Sequence, residues 1–132
     1  MSVFVDTGAW FASIVPDDPR HQRVLSWMKS NPLPLVTTDY VVDETLTLLR
    51  ARGELNRAIT MGTQFFDHDV ANVFPITTDH ARKAWNLFRQ QPQRRWSFTD
   101  CTSKVIMDEL HIRKALAFDH HFEELGSIEL LP

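Results

Sequence analysis

Short apolar runs alternate along this chain with longer segments whose apolar residues recur at three- and four-residue spacing. Runs of that kind read as buried strands and the spaced segments as amphipathic helices. Strands alternating with helices build a mainly parallel sheet covered on its faces, so the expectation is an α/β domain. The first run, 2–5, stops at Asp6-Thr7-Gly8, as a buried strand running into a helix start does. Asp18-Pro19 offers a capping residue followed by proline at the first helical position, and Val24, Leu25 and Met28 give the segment behind it one apolar face. A second strand is expected at 35–38, then a helix over 39–52 that Gly53 stops. Leu55, Ile59, Phe65 and Phe66 carry a helix over 55–66. A third strand at 72–76 contains Pro75, which marks an end or an edge. Ala81, Ala84, Trp85 and Phe88 set a helix over 78–90. A polar loop follows, and Ser97 opens the next helix with Asp100 three residues on, in the capping-box arrangement. The fourth and fifth strands are expected at 115–118 and 128–131.

At 132 residues the chain has the length of one domain, and 43% apolar with 23% charged residues excludes a largely disordered polymer. Fourteen basic against seventeen acidic residues give a net charge of −3, so any nucleic-acid contact must be local. Cys101 is the one cysteine, which excludes an internal disulfide framework and a cysteine-rich zinc site. Nothing at the start reads as a signal peptide, and no apolar run approaches the ~20 residues that cross a bilayer. The expectation is one soluble domain over 1–132, cytoplasmic and without a membrane partner.

The chemistry lies in where the carboxylates fall. Asp6 ends the first expected strand and Asp119 the fourth, and ligands of open parallel sheets bind outside the carboxyl ends of the strands. Asp43 and Glu44 lie in the helix after the second strand, and Asp100 in the first turn of the helix that Ser97 opens. Taken singly, Asp6 and Asp100 are ordinary capping residues and Asp119 an ordinary turn residue. Taken together, four separated segments deliver acids to one end of the sheet. Clustered carboxylates raise one another's pKa unless a cation compensates. Hard oxygen donors suit Mg²⁺ or Mn²⁺, which can activate a water and neutralise charge on a phosphodiester.

Other reactive residues read as structural. Adjacent helix positions face about 100° apart, so only one of Asp43 and Glu44 should point at a metal. Cys101 has no cationic activator beside it in sequence and opens an apolar face with Val105. His120 and His121 are too few for a zinc set and read as turn residues. Trp10, Trp27 and Trp85 fall on apolar helical stripes, as core or interface residues do, while Trp96 borders the Ser97 helix and stays open.

The ordered set Val-Asp-Thr-Gly-Ala-Trp at 5–10, Val-Val-Asp-Glu-Thr-Leu-Thr-Leu-Leu at 41–49, Trp-Ser-Phe-Thr-Asp-Cys-Thr-Ser at 96–103 and Ala-Phe-Asp-His-His-Phe at 117–122 resembles the successive motifs of PIN-domain ribonucleases, VapC-type toxins above all. The resemblance runs from residue 3 to about 125. It implies a PIN-like three-layer α/β/α fold and an Mg²⁺- or Mn²⁺-dependent endoribonuclease leaving 5′-phosphate and 3′-hydroxyl ends. Asp6, Glu44 and Asp100 match the family's core acids, and Asp119 the fourth acid, as catalytic and metal-binding residues. Glu44 is thereby preferred to Asp43. Thr7 and Ser97 match hydroxyl positions behind the metal ligands, and Gly8 departs from a frequent serine. A homodimer and a small VapB-like antitoxin, inserting a segment into the groove, are implied as partners beside the RNA substrate. The helices near 9–14 and 55–66 could supply such interfaces. Arg94, Arg95 and Lys104 are the expected RNA contacts, since an acidic metal pocket needs a basic rim to hold a polyanion.

Three rival readings are separable. A non-catalytic PIN-like module binding RNA or protein would be expected to lack acids, and all four are present. A phosphatase with Asp6 as nucleophile wants a second aspartate where Gly8 stands. A receiver-type domain wants its phosphoacceptor directly after a middle strand, where Ile76-Thr77-Thr78 intervenes.

Overall fold

The computed structural model describes residues 1–119, 121–124 and 129–131. In chain order the elements are β1 (Val3–Val5), α1 (Thr7–Ile14), α2 (His21–Ser30), β2 (Leu35–Thr38), α3 (Asp39–Ala51), α4 (Leu55–Phe66), β3 (Asn72–Phe74), α5 (Thr78–Gln90), α6 (Phe98–Glu109), β4 (Lys114–Leu116), α7 (His121–Glu124) and β5 (Glu129–Leu131). Every strand pair is parallel, in the order β3-β2-β1-β4-β5. The fold is the α/β domain expected from the alternation, in the three-layer α/β/α form that the resemblance implies, with helices covering both faces of the sheet.

β1 is the central strand, and Val3, Phe4 and Val5 are fully buried, as apolar residues between two helical layers must be. The chain leaves β1 first toward β2 and β3, then returns to lay β4 on the opposite side. That reversal opens a crevice beyond the ends of β1 and β4, where doubly wound sheets bind ligands. Val5 pairs with Leu116, and the Asp6 amide donates to the Leu116 carbonyl at 3.1 Å, so the crevice is closed at its base by backbone bonding.

Packing fixes the first helix over this base. Trp10 is buried and meets Phe65 edge-on, with centroids 5.0 Å apart. Its indole N–H donates to Thr37 Oγ1 at 3.4 Å, and Thr37 donates in turn to the Val5 carbonyl at 3.1 Å. Burying a side chain of this class contributes roughly 1.5–3 kcal/mol. α3 starts where Thr38 Oγ1 accepts from the Val41 amide, and it ends before Gly53, whose φ of +77° is the left-handed conformation that stops helices.

The structure corrects several boundaries. α2 begins at His21, two residues later than Asp18-Pro19 suggests, because the Asp18 carboxylate accepts from the Arg20 amide and guanidinium within the turn. β3 ends at Phe74, ahead of Pro75, which has no N–H to offer a ladder. β4 covers Lys114–Leu116, so Asp119 stands three residues beyond the strand rather than directly after it. Residue 128 of the expected fifth strand lies outside the described residues. Trp27 packs against the core as expected, and Trp96, left open by the sequence, is buried.

Candidate active site

Asp6, Thr7, Gly8, Arg20, Glu44, Arg95, Ser97, Asp100, Phe118 and Asp119 line one open pocket of about 450 Å³ at the crevice. All four expected acids are therefore brought together from the junction of β1 and α1, from α3, from α6 and from the segment after β4. Asp43 is exposed and does not line the pocket, which fits the angular separation of neighbouring helix residues.

Asp6 is the buried centre of the group. It is the N-cap of α1, yet its side chain makes no cap bond, and Oδ1 has no hydrogen-bond partner. An unpaired buried carboxylate oxygen is costly in an apo protein unless the group is protonated or meets a cation. Burial, and then the neighbouring Asp100, push the Asp6 carboxyl up to about 8; a backbone hydrogen bond from Thr7 opposes this, and Glu44 and Asp119 add to the rise.

Asp100 is held by helix chemistry. Ser97 Oγ accepts from the Asp100 amide and an Asp100 oxygen accepts from the Ser97 amide, both at 3.0 Å, completing the capping box read from the sequence. Burial raises the Asp100 pKa, with Asp119 and Glu44 acting in the same direction against the Ser97 hydrogen bonds. Glu44 is half-buried, and its Oε1 accepts from Thr7 Oγ1 at 2.6 Å. Thr7 and Ser97 thus each orient an acid, as hydroxyls behind a metal site do.

The donor set consists of carboxylate oxygens, which suits a hard divalent cation. Among the described residues no three His, Cys, Asp or Glu side chains stand in a ready-made coordination set. Mg²⁺ keeps several waters and uses one or two carboxylates, so a sparse oxygen site around the unpaired Asp6 Oδ1 fits such an ion. A cation there would replace the proton that burial places on Asp6.

The remaining expected residues divide. Arg95 lines the pocket. Arg94 pairs with Glu124 at 3.4 Å and lies 5.8 Å over the Trp96 ring, outside the pocket lining. Lys104 pairs with Asp108 at 2.6 Å and lines a separate groove between α5 and α6. Cys101 is fully buried, and burial followed by the neighbouring Asp100 pushes its thiol up to about 11, so it is inert. His120 and the side chain of His121 lie outside the described residues. Sequence reasoning missed Arg20 as a pocket residue.

The PIN-domain family model matches residues 3–128. The chain belongs to the PIN-domain family. Within it, this PIN domain is 33% identical over 130 residues to the 23S rRNA-specific endonuclease VapC20 of Mycobacterium tuberculosis, with 98% of each chain covered. It is 28% identical over 127 residues to a VapC ribonuclease of Archaeoglobus fulgidus, covering 92% of this chain and 80% of that one. The crystal structure of the mycobacterial VapC20, described as a sarcin–ricin-loop-cleaving toxin, superposes with a TM-score of 0.91 at 32% identity over 98% of this chain and 99% of that one. The PIN domain described here is accordingly a ribonuclease of the VapC type, a family that depends on divalent metal. No helix among its described residues is long and apolar enough to cross a membrane.

Proposed function

We propose that residues 1–132 act as one PIN domain that cuts RNA with Mg²⁺ or Mn²⁺ bound at Asp6, Glu44, Asp100 and Asp119, as a cytoplasmic toxin restrained by a VapB-like antitoxin. The observation that carries this reading is the convergence of four acids from four segments on one pocket, with a buried Asp6 oxygen left unpaired at its centre.

The chain's own residues divide the work. Asp6 and Asp100 are the principal ligands, and Ser97 fixes the rotamer of Asp100. Glu44, oriented by Thr7, and Asp119 at the exposed rim complete the set directly or through water. When bound, the cation lowers the pKa of a water and neutralises charge that builds on the phosphodiester. Products with 5′-phosphate and 3′-hydroxyl ends follow from water attacking phosphorus with the 3′ oxygen leaving. Arg95 on the pocket wall supplies positive charge for the RNA backbone.

A structured ribosomal RNA loop is the first substrate to test, supported by the 33% identity to a 23S rRNA-specific enzyme across nearly the whole chain. The antitoxin segment is assigned to an apolar groove of about 590 Å³ between α1, α2 and α4, where Trp10, Ile14, Met28 and Met61 line the walls. A second copy is assigned to the α5 face, where Trp85 and Phe88 stack in the open and Phe88 continues to Phe98.

The test is incubation of the purified protein with total cellular RNA in Mg²⁺, Mn²⁺ or EDTA, beside Asp6→Asn and Asp100→Asn, with cut ends mapped by sequencing. Metal-dependent cuts that vanish in both folded variants establish the activity. Cutting that persists in the variants rejects the site, and metal binding without any cutting favours the non-catalytic module.

A further inference from the structure

Arg20 enters the acid pocket from an element that carries none of the acids. It lies in the turn between α1 and α2, yet it shares the pocket lining with Asp6, Glu44, Asp100 and Asp119. Two contacts hold it. Its Nε and Nη2 donate to the two oxygens of Asp18, each at 3.2 Å, and its guanidinium lies 4.1 Å from the centroid of the Phe118 ring. Asp18 is itself fixed by the Arg20 amide, which donates to it at 2.8 Å. A guanidinium gripped along one edge and stacked on a ring loses little further freedom when its other edge binds an anion. That other edge, Nη1, has no protein partner among the described residues.

A second cation, Arg23, stands beside the Arg20–Asp18 pair. Arg20 is the N-cap of α2 and Arg23 lies in its first turn, where no acidic residue is present. The helix macrodipole disfavours cations at this end. Arg23 also lies over the Phe118 ring, at 5.3 Å, and has no ion pair among the described residues. Two arginines flanking one aromatic ring, at the positive end of a helix and on the rim of an acid pocket, are arranged to receive an anion that the acids alone would repel.

We infer that Arg20 clamps a backbone phosphate of the RNA at the rim of the acid pocket, with Asp18 and Phe118 as its positioning residues and Arg23 as a second, looser charge. The inference rests on the nuclease reading above and names the protein side of its substrate contact. Arg20 contacts RNA and takes no part in holding metal.

Binding of a fluorescein-labelled sarcin–ricin-loop hairpin, followed by anisotropy across a KCl series with Ca²⁺ in place of Mg²⁺, tests it without requiring cleavage. Arg20→Ala is expected to weaken binding about tenfold and to reduce the slope of log Kd against log salt by about one, the signature of one lost phosphate contact. Arg20→Lys should keep the slope while losing part of the affinity, and Phe118→Leu should fall between them. Metal affinity measured by calorimetry should be unchanged in all three. Should Arg20→Ala fold less well, the lysine and leucine variants still decide. A wild-type affinity and slope in Arg20→Ala, with or without a lower Tm, overturns the inference, as does a wild-type protein that binds no RNA. A wild-type protein that binds through Arg20 but never cuts in Mg²⁺ leaves the clamp standing and rejects the nuclease reading instead.

Discussion

Thr7 Oγ1 donates to Glu44 Oε1 across 2.6 Å, tying the first turn of α1 to the middle of α3 through residues 37 positions apart. The bond aims one acid of the pocket and consumes one of its acceptor sites. Thr7→Val keeps the branched shape and removes the donor, leaving Glu44 free to rotate. Metal affinity or cleavage rate should fall about 10- to 100-fold with the fold intact, whereas Thr7→Ser should stay close to wild type. Calorimetric metal titration beside circular dichroism checks both, and an unchanged affinity in Thr7→Val would mean that Glu44 needs no orientation.

The buried Asp6 carboxyl makes metal-free stability fall with rising pH. Its folded pKa of about 8 lies above the ordinary 3.8, so between those values the native state holds a proton that the unfolded chain has released. Stability is therefore full below about pH 4 for this group and is lost as pH climbs through 8. Asp100, also raised, acts in the same direction. Thermal unfolding in EDTA should show Tm dropping from pH 5.5 to 8.5 by a margin that Asp6→Asn largely removes. An equally steep drop in the variant would assign the effect to other groups.

Metal loading should invert that behaviour. A cation binds the ionised carboxylate, so it displaces the Asp6 proton and its affinity rises with pH. Calorimetry at pH 7 in two buffers of different ionisation enthalpy should report close to one proton released per metal in wild type, and markedly less in Asp6→Asn.

Gly8 occupies the first turn of α1 without needing to be glycine. An added Cβ would meet only Phe118 Cδ2, at 3.7 Å, an ordinary contact. Gly8→Ala should stabilise the protein by about 0.5–1 kcal/mol through helix propensity and a less flexible unfolded chain. Chemical denaturation measures it, and a loss of stability would reveal a backbone constraint at this position.

Removing the Ser97 cap should cost stability and activity together. Ser97→Ala deletes the acceptor for the Asp100 amide and is expected to lower stability by about 1 kcal/mol. The backbone amide stays in the variant, but the Ser97 side-chain hydrogen bond to the Asp100 carboxyl is lost with the hydroxyl, so the cleavage rate should fall further than the Tm shift accounts for. Ser97→Thr should restore both in denaturation and single-turnover assays.

Local patterns made much of the fold legible. The helices at Asp39–Ala51, Leu55–Phe66 and Thr78–Gln90 match their expected spans to within a residue, because each has a clear apolar stripe and a stop or cap. Asp6, Asp100 and Asp119 were legible for a different reason, as they sit at or near element ends that a parallel sheet gathers on one edge, whereas Glu44, inside α3, was singled out by the family resemblance. Arg20 was not legible, since only the tertiary fold brings an inter-helix turn onto Phe118, nearly a hundred positions away. An arginine pair opening a helix without an acid was the available signal. Lys104 stands apart from the acid pocket for a geometric reason. Four residues beyond Asp100 along α6 is about 6 Å of helix rise, enough to carry its ammonium to Asp108 and into another groove.

The placement of β1 between β2 and β4 has a consequence for the living cell that makes this chain. The strand that leads into Asp6 leaves the ribosome well before the partner that receives the Asp6 amide, Leu116, which is synthesised more than a hundred residues later. Until then the pocket has neither its floor nor its Phe118 and Asp119 wall. Nascent or truncated chains that stop short of this segment are therefore blunt, and the blade is finished only once the stretch from Leu116 to Asp119 has been made.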